Sequence, residues 1–161
     1  MAKHSTSPVW KDELSTHQSM PLNRDITCDV CVVGAGMAGL TTAYELVSAG
    51  QKVIVVDPNT TPGGGETRFT TAHLASAIDD RFQEVARIRG EDMARLAYES
   101  HAAAIDRIEA ICKAEQISCG FRRVDGYLFP ATGDTKLIED EFKAAKKAGC
   151  EVELVPTSPV S

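Results

Sequence analysis

The sequence lacks the features that mark membrane, secreted and nucleic-acid-binding proteins. It has no run of about 18 or more apolar residues, so it predicts no membrane-spanning helix. Its first 25 residues are polar and contain no apolar leader segment, so we expect a cytoplasmic protein. With 17 Lys and Arg against 23 Asp and Glu, the net charge is -6, whereas nucleic-acid binding needs a basic face. We therefore predict neither a membrane nor a nucleic-acid partner.

Cysteine is scarce and odd in number, and the familiar metal-binding spacings are absent. Five cysteines without a secretory leader do not indicate a disulfide framework. Cys28 and Cys31 form a C-x-x-C pair, but they fall in a predicted strand, where residues three apart point to opposite faces. We therefore predict free thiols that are buried or half-buried. The sequence also lacks H-E-x-x-H, P-loop, G-x-S-x-G and zinc patterns, so we predict no metal site.

The stretch DVCVVGAGMAGLTTAYELVSAGQKVIVVD, residues 29–57, predicts a β-strand, an α-helix and a second strand. The apolar, β-branched runs 28–33 and 52–57 are typical of buried strands. Between them, residues 37–48 have helical apolar spacing, and Gly50 follows where a left-handed cap favours glycine. The predicted apolar face of this helix comprises Leu40, Ala43, Tyr44 and Val47. The whole stretch therefore indicates a Rossmann-like βαβ unit with two parallel strands.

A glycine motif lies where the first strand meets the helix. Gly34, Gly36 and Gly39 form G-x-G-x-x-G, which provides a tight turn, close backbone approach to a pyrophosphate, and close packing of helix on strand. The helix start, which includes Met37 and Ala38, offers free N–H groups to phosphate. Asp57 ends the second strand, where its carboxylate can accept hydrogen bonds from an adenosine ribose and would repel a 2′-phosphate. These residues predict a site for FAD or NAD and do not distinguish the two.

The rest of the chain alternates loops, helices and short strands. Residues 58–71 are loop-like, and 72–79 predict a short helix. A long helix is predicted over 91–116, and a helix capped by Asp134 over 134–148, ending at Gly149. Strands are predicted over 121–129, with a turn at Asp125 and Gly126, and over 151–155. The predicted inward residues of the two helices are Ala97, His101, Ala104, Ile105, Ile108, Ile111, Cys112, Leu137, Ile138, Phe142 and Ala145.

A few polar and aromatic residues are candidates for a catalytic or binding role, but each also has an ordinary structural interpretation. His101 is interpreted as a core or interface histidine, because it lies on the apolar stripe of the long helix. Tyr127 is interpreted as a core strand residue, although it could line a substrate pocket. Residues 79–81 are interpreted as a solvated helix end. Glu139 and Lys143 predict an exposed ion pair one helical turn apart.

The βαβ stretch, together with GGGETRFTTAHLASAIDDRF, resembles the D-amino-acid oxidase and glycine oxidase superfamily of FAD-dependent oxidoreductases. Within it, the sequence is most similar to bacterial members that often carry a C-terminal Rieske iron–sulfur domain. The segments ESHAAAIDRIEAI and VDGYLF share this likeness, which covers residues 28–155. The resemblance implies a glutathione-reductase-type FAD-binding fold followed by the start of a substrate domain.

The resemblance also implies a division of the chain and a set of flavin contacts. Residues 1–24 would be a polar lead-in, and 25–161 the N-terminal part of the FAD-dependent domain. Within the latter, 28–57 would be the βαβ unit, 58–78 the flavin loop and 79–161 a region of helices and strands. Residues 63–67 would lie near the pyrophosphate and ribityl chain, and 70–73 near the isoalloxazine ring. The loop residues expected to contact FAD are Gly65, Thr67, Thr70, Thr71, Ala72 and His73.

Two details of that loop bear on the flavin site. Arg68 and then Phe69 precede the threonines, where the family favours a small residue followed by an arginine. His73 lies in a region comparable to the one where some amine dehydrogenases of the superfamily attach FAD covalently. A non-covalent contact or a packed histidine is the simpler interpretation.

By resemblance, the function would be oxidation of a C–N bond of an amine or amino acid, with hydride transfer to the flavin. Family members are more than twice this length, so we expect a partial chain with little or no activity of its own. No catalytic base can be assigned within 161 residues. The alternatives are an NAD-binding dehydrogenase or sensor domain, and an inactive remnant or a subunit that a second chain completes.

Overall fold

The computed structural model describes residues 18–130, 133 and 135–156. The chain divides into two compact units, of which one ends at His73 and the next begins at Leu74. The first contains a small parallel sheet and a helix, and the second contains three helices. The described part of the chain is therefore a mixed α/β structure, as the sequence predicts.

The first unit is built on the predicted strand–helix–strand sequence. Strand β1 spans Val30–Val33, helix α1 spans Met37–Ser48 and strand β2 spans Val53–Val56. The two strands are parallel and in register from the pair Val30 and Val53 to the pair Val33 and Val56. Asp29 reinforces this register, because its Oδ2 accepts a hydrogen bond from the Lys52 N–H at 2.8 Å.

The prediction that both strands are buried is wrong, most clearly for β1. Its residues alternate between half-buried and exposed, and Val33 is 83 % exposed, whereas β2 is half-buried throughout. The sheet has two strands within the described residues, and α1 packs against both. A sheet covered on one face leaves alternate side chains in solvent even where the sequence is uniformly apolar.

Helix α1 begins and ends where the sequence predicts. It closes with hydrogen bonds from the N–H of Gly50 to Val47 O at 2.9 Å and from Gln51 to Leu46 O at 3.0 Å. Gly50 has φ +84°, the left-handed conformation for which glycine is preferred. On its predicted apolar face Ala43 is buried, whereas Val47 is exposed.

Residues 66–89 differ from the prediction. A 3₁₀ turn spans Glu66–Phe69, and no helix forms over residues 72–79. Ala72 has φ +55°, which a right-handed helix cannot include. Helix α2, which the sequence analysis did not predict, begins later and spans Phe82–Arg89.

The second unit packs α2 against helix α3, Glu91–Ala114, and helix α4, Thr135–Lys147. Its small core consists of Phe82, Ala94, Ala145 and Ala148. The ring of Phe82 meets Tyr98 edge-on, with centroids 6.2 Å apart and planes at 80°.

A buried carboxylate from α4 holds the beginning of α2. Glu141 accepts hydrogen bonds from the N–H groups of Phe82 at 2.7 Å and Gln83 at 3.1 Å. The residue before the helix, Arg81, has φ +64° and provides no side-chain cap. Glu141 therefore supplies from another helix the acceptor that a helix N-terminus needs.

The predicted inward stripe of α3 is wrong in its centre. Its buried residue is Ala94, outside the predicted set, and Tyr98 packs against the core. His101 is exposed, and its Nδ1 lies 2.7 Å from the carbonyl oxygen of Ala97. The interpretation of His101 as a core residue is therefore also wrong.

No strand forms over residues 121–130 or 151–156. Both runs have strand-like composition, but a strand requires a hydrogen-bonded neighbour as well as suitable side chains. Val124 is 76 % and Phe129 69 % exposed, and Tyr127 lies in irregular chain instead of a core strand. The strand predictions for these two segments are wrong.

Helix α4 forms as predicted, although Asp134, its predicted cap, lies outside the described residues. Gly149 follows its end with φ +89°. The Lys143 Nζ lies 3.7 Å from Oδ1 of Asp140, which is the residue next to Glu139, the predicted partner.

Candidate nucleotide-binding site

The glycine turn between β1 and α1 has the geometry that its motif predicts. Gly34 has φ +103°, and its N–H donates to the Val56 carbonyl at 2.7 Å. A Cβ at Gly39 would lie 1.9 Å from the carbonyl oxygen of Gly34, a distance that no side chain tolerates. The first and third glycines of the motif are therefore required by the backbone itself.

The second glycine faces the loop that follows β2. A Cβ at Gly36 would lie 3.3 Å from Thr67 Oγ1. The same hydroxyl accepts a hydrogen bond from the Met37 N–H at 3.2 Å, which occupies the first amide of α1. Gly36 is the N-cap residue of α1 and has no side chain that could accept a hydrogen bond from the helix. The amides of Ala38 and Gly39, in the first turn of the helix, are therefore suited to binding an anion.

Asp57 lies against this turn at the carboxyl end of β2. Its Oδ2 accepts a hydrogen bond from the Ala35 N–H at 2.6 Å, and its Oδ1 accepts from the N–H and the side-chain amide of Asn59 at 2.7 and 2.8 Å. The Ala35 bond above all, and then the Asn59 bonds, hold the pKa of Asp57 below its ordinary value. A negative charge therefore lies beside the glycine turn at neutral pH and can accept a hydrogen bond from a hydroxyl group such as that of a ribose.

Asn59 is a site residue that the sequence analysis missed. Its two bonds orient the Asp57 carboxylate, and its Cβ would be 3.3 Å from a Cβ added at Gly64. The sequence signal for this contact was the Asp itself, because an Asp side chain often accepts a hydrogen bond from the backbone N–H two residues later, in an Asx turn.

The second glycine-rich loop packs directly on the first. The Gly63 N–H donates to the Ala35 carbonyl at 2.7 Å, so Ala35 is bonded on both sides. A Cβ at Gly64 would lie 2.8 Å from the Thr61 carbonyl, which explains the absence of a side chain there. The two loops thus form one cradle made of backbone.

The remaining predicted contacts are less closely grouped. Gly65 begins the 3₁₀ turn, and Thr70 ends it by donating from Oγ1 to Thr67 O at 3.1 Å. Residues 70–73 are exposed, and His73 is the last residue of the first unit. The guanidinium of Arg68 lies over the Phe69 ring at 4.6 Å. The structure therefore brings together the three glycines of the motif, Met37, Asp57 and Thr67. Thr70 is bonded to Thr67, whereas residues 71–73 are exposed.

The five cysteines are free thiols. Of the C-x-x-C pair, Cys28 is half-buried, as predicted, whereas the prediction is wrong for Cys31, which is exposed. No group of three or more potential ligands for a metal is found among the described residues. Likewise, over the described range, no helix has both the length and the apolarity needed to cross a membrane.

The cradle fits the ADP half of a dinucleotide. It combines a helix N-terminus, glycines that allow close approach of the backbone, and a carboxylate with a lowered pKa at the end of β2. Comparison with known proteins agrees with this geometry. Residues 29–159 match the family profile described as FAD dependent oxidoreductase. The chain belongs to this family, whose cofactor is FAD, and the predicted resemblance is confirmed.

Several curated proteins are similar to this chain. The Bacillus subtilis protein YhfW, provisionally named a Rieske 2Fe-2S iron–sulfur protein, is 34 % identical over 99 % of this chain and 31 % of its own length. Gamma-glutamylputrescine oxidoreductase of Escherichia coli is 34 % identical over 72 % of this chain and 26 % of its own. The chain spans about a third or less of these relatives. No solved structure matches it significantly.

Proposed function

We propose that this chain provides the dinucleotide-binding part of an FAD-dependent oxidoreductase that oxidises a C–N bond of an amine or amino acid. The observation that carries the proposal is the cradle around Ala35, where the first glycine turn, Asp57 and the second glycine loop meet. The substrate class is supported by the relative named gamma-glutamylputrescine oxidoreductase. In this proposal the βαβ unit is Rossmann-like, of the glutathione-reductase type.

Each part of the cradle has a defined task toward the cofactor. The turn at Gly34, Gly36 and Gly39, with the amides of Ala38 and Gly39 at the start of α1, holds the diphosphate, while the Met37 amide is bonded to Thr67. Asp57, oriented by Asn59, binds the adenosine ribose. The later loop residues flank the rest of the cofactor, and they are Gly65, Thr67, Thr70, Thr71, Ala72 and His73.

Bound FAD would supply the capacity to accept a hydride from the substrate carbon. The residues of the cradle would position and hold the cofactor, and the proposal assigns none of them as a catalytic base. Thr67 has a second task within this scheme: by accepting from Met37 it keeps the start of α1 in place while its hydroxyl hydrogen remains available to an acceptor.

The proposal is tested by titrating the chain with FAD and with ADP, following flavin fluorescence and heat of binding. We expect Asp57→Ala to weaken both ligands by roughly tenfold or more, because each loses a charge-assisted hydrogen bond at the ribose. Asp25→Ala, at an exposed carboxylate outside the cradle, is the matched control and should bind as the parent does.

The same titration separates the competing interpretations. Tighter binding of NAD than of FAD would favour an NAD-binding domain, whereas equal affinity for FAD, ADP and NAD would show that the chain contacts only the ADP moiety common to all three. If Asp57→Ala binds FAD as the unchanged chain does, the ribose assignment fails. Flavin that stays with the denatured protein would establish covalent attachment, for which His73 is the candidate.

A further inference from the structure

The end of α3 folds the chain back on the helix. Gln116 adopts φ +54°, and the N–H of Ile117 donates to the Cys112 carbonyl at 2.8 Å. This left-handed reversal ends the helix in the manner usually provided by glycine. The Cys119 N–H then bonds to Ile117 O at 3.0 Å, which turns the chain once more. As a result, Cys119 returns to the side of the helix that carries Cys112.

The two thiols are in contact. The Cys119 Sγ donates to the Cys112 Sγ at 3.7 Å, with Cys119 exposed and Cys112 half-buried. Partial burial, and then the contact with Cys119, raise the pKa of the Cys112 thiol. A surface depression of about 330 Å³ opens beside the pair, and its wall includes Glu109, Lys113 and Phe121.

The chain that follows Cys119 is also bonded to α3, through Arg123. Arg123 donates from Nη2 to Asp106 at 2.6 Å and to Glu109 at 2.7 Å, and from Nε to Glu109 at 2.9 Å. Residues 116–123 are thus tied to α3 at both ends. The proximity of the thiols follows from a bonded helix end and an ion-pair network together, which hold the sulfurs 3.7 Å apart in the folded chain, compared with about 2 Å in a disulfide.

We propose that Cys112 and Cys119 form a redox-active dithiol that low-molecular-weight disulfides, of the oxidised glutathione type, convert to an intramolecular disulfide. Cys119 is the attacking thiol because it is the exposed member, and Cys112 is the resolving thiol beneath it. The site lies in the second unit and is independent of the dinucleotide cradle.

The reaction balances in two exchanges. The Cys119 thiolate, having released its proton to water, attacks one sulfur of the small disulfide, and a small thiolate leaves. Cys112 then loses its proton and attacks the Cys119 sulfur, which expels the second small thiolate. The two protein thiols are oxidised, and one small disulfide is reduced to two small thiols.

Cys150 and Cys31 differ from the Cys112–Cys119 pair in reactivity, so each serves as an internal reference for the reaction of the pair. Burial, together with the nearby Glu141 charge, raises the pKa of Cys150 to about 11, so its thiolate is scarce. Cys31 is exposed on β1 and can be modified by the oxidant. It should stop at a mixed disulfide, which reports the oxidant's access without the second exchange.

The test is intact-mass and peptide analysis of the reduced full chain after incubation with oxidised glutathione. We expect a species lighter by two hydrogens, with a peptide that links Cys112 to Cys119. Cys112→Ser should instead accumulate a stable glutathione adduct at Cys119, because the resolving thiol is gone. Cys31→Ser, the matched control, should form the internal disulfide at the unchanged rate.

Two results would overturn the proposal. One is a parent chain that carries a persistent glutathione adduct on Cys119 with no internal bond. The other is internal bond formation no faster in the native chain than in the same chain in guanidinium, since the proposal rests on folded geometry. The comparison uses the unsubstituted chain, so its outcome does not depend on how any variant folds.

Discussion

At the residue scale, the glycines of the cradle are not equivalent. Gly39 would place a Cβ against the Gly34 carbonyl oxygen at 1.9 Å, whereas Gly36 would place one 3.3 Å from a threonine hydroxyl. The first contact involves two backbone segments that cannot separate without moving α1 from β1. The second involves a side chain that can rotate.

We predict that Gly39→Ala lowers the free energy of unfolding by about 1–3 kcal/mol or more, because overpacking here displaces backbone. Urea unfolding followed by circular dichroism measures the change. Gly126→Ala is the matched control, since no atom lies within 4 Å of its added Cβ, and it should change stability by less than roughly 0.5 kcal/mol. Equal effects of the two substitutions would contradict the packing argument.

Asp57 gives the cradle a defined pH dependence. Its folded-state pKa is lowered by the bonds from Ala35 and Asn59, so its contribution to stability is present above the ordinary value of 3.8 and is lost as pH falls through the lower folded value. We predict that Asp57→Asn is less stable than the parent at neutral pH and that the difference narrows only below pH 3.8. Parallel unfolding curves across this range measure it. A constant difference at all pH values would show that the charge is not involved.

At the element scale, helix α2 depends on a residue from another helix. Glu141 holds the first amides of α2, and its own helix gives no sign of this, because an acidic residue among charged neighbours is typical of an exposed face. Neither α2 nor this cap was predictable from local periodicity.

We predict that Glu141→Gln lowers the free energy of unfolding by about 1–3 kcal/mol, because one buried charge-assisted bond is lost and an amide group faces a helix N-terminus. Thermal or urea unfolding measures the loss. Glu139→Gln, two residues away on the exposed side of α4, is the matched control and should be nearly neutral. A neutral Glu141→Gln would mean that α2 begins without this cap.

The segment after α3 is attached to the helix by ion pairs and not by the backbone hydrogen bonds of a β-sheet. Arg123 is half-exposed and contacts both Asp106 and Glu109, so its bonds are screened by water and contribute little to global stability. Their effect is local, because residues 121–130 have no regular secondary structure.

We predict that Arg123→Ala speeds amide hydrogen exchange in residues 117–130 while leaving the unfolding midpoint almost unchanged. Exchange followed by mass spectrometry measures the local effect. Arg122→Ala, at the adjacent exposed arginine, controls for loss of a positive charge. Unchanged exchange in both variants would contradict an anchoring role for Arg123.

At the scale of the whole molecule, apolar side chains remain exposed in the described part of the chain. Val124, Leu128 and Phe129 are 76 %, 54 % and 69 % exposed and lie close together in sequence. Large apolar side chains exposed in this way commonly contact another polypeptide or promote association.

We predict that this chain self-associates as its concentration rises and that Phe129→Lys reduces the association. Because Phe129 is outside the core, the free energy of unfolding should change by less than roughly 0.5 kcal/mol. Sedimentation velocity measures association, and Thr42→Lys, which adds the same charge at an exposed position of α1, is the control. A large loss of stability in Phe129→Lys would show that the ring is buried in solution.

The reliability of sequence-based prediction varied along the chain for physical reasons. The βαβ unit was predictable because its glycine positions, helix ends and parallel register depend on contacts within about 30 residues. Residues 72–89 were not, because a positive φ at Ala72 and the cap from Glu141 decide where α2 starts. The predicted strands at 121–129 and 151–155 failed for lack of pairing partners within the described residues.

The sequence by itself determined the family, the glycine turn and the acidic residue that follows β2, since each depends on residue type and spacing. Tertiary structure alone decided that Asp57 is bonded to Ala35, that Asn59 orients it, and that Cys112 meets Cys119. Those contacts join residues 2 to 22 positions apart through turns whose geometry no periodicity encodes. Local chemistry therefore specifies which groups the site has, and the folded backbone specifies which of them touch.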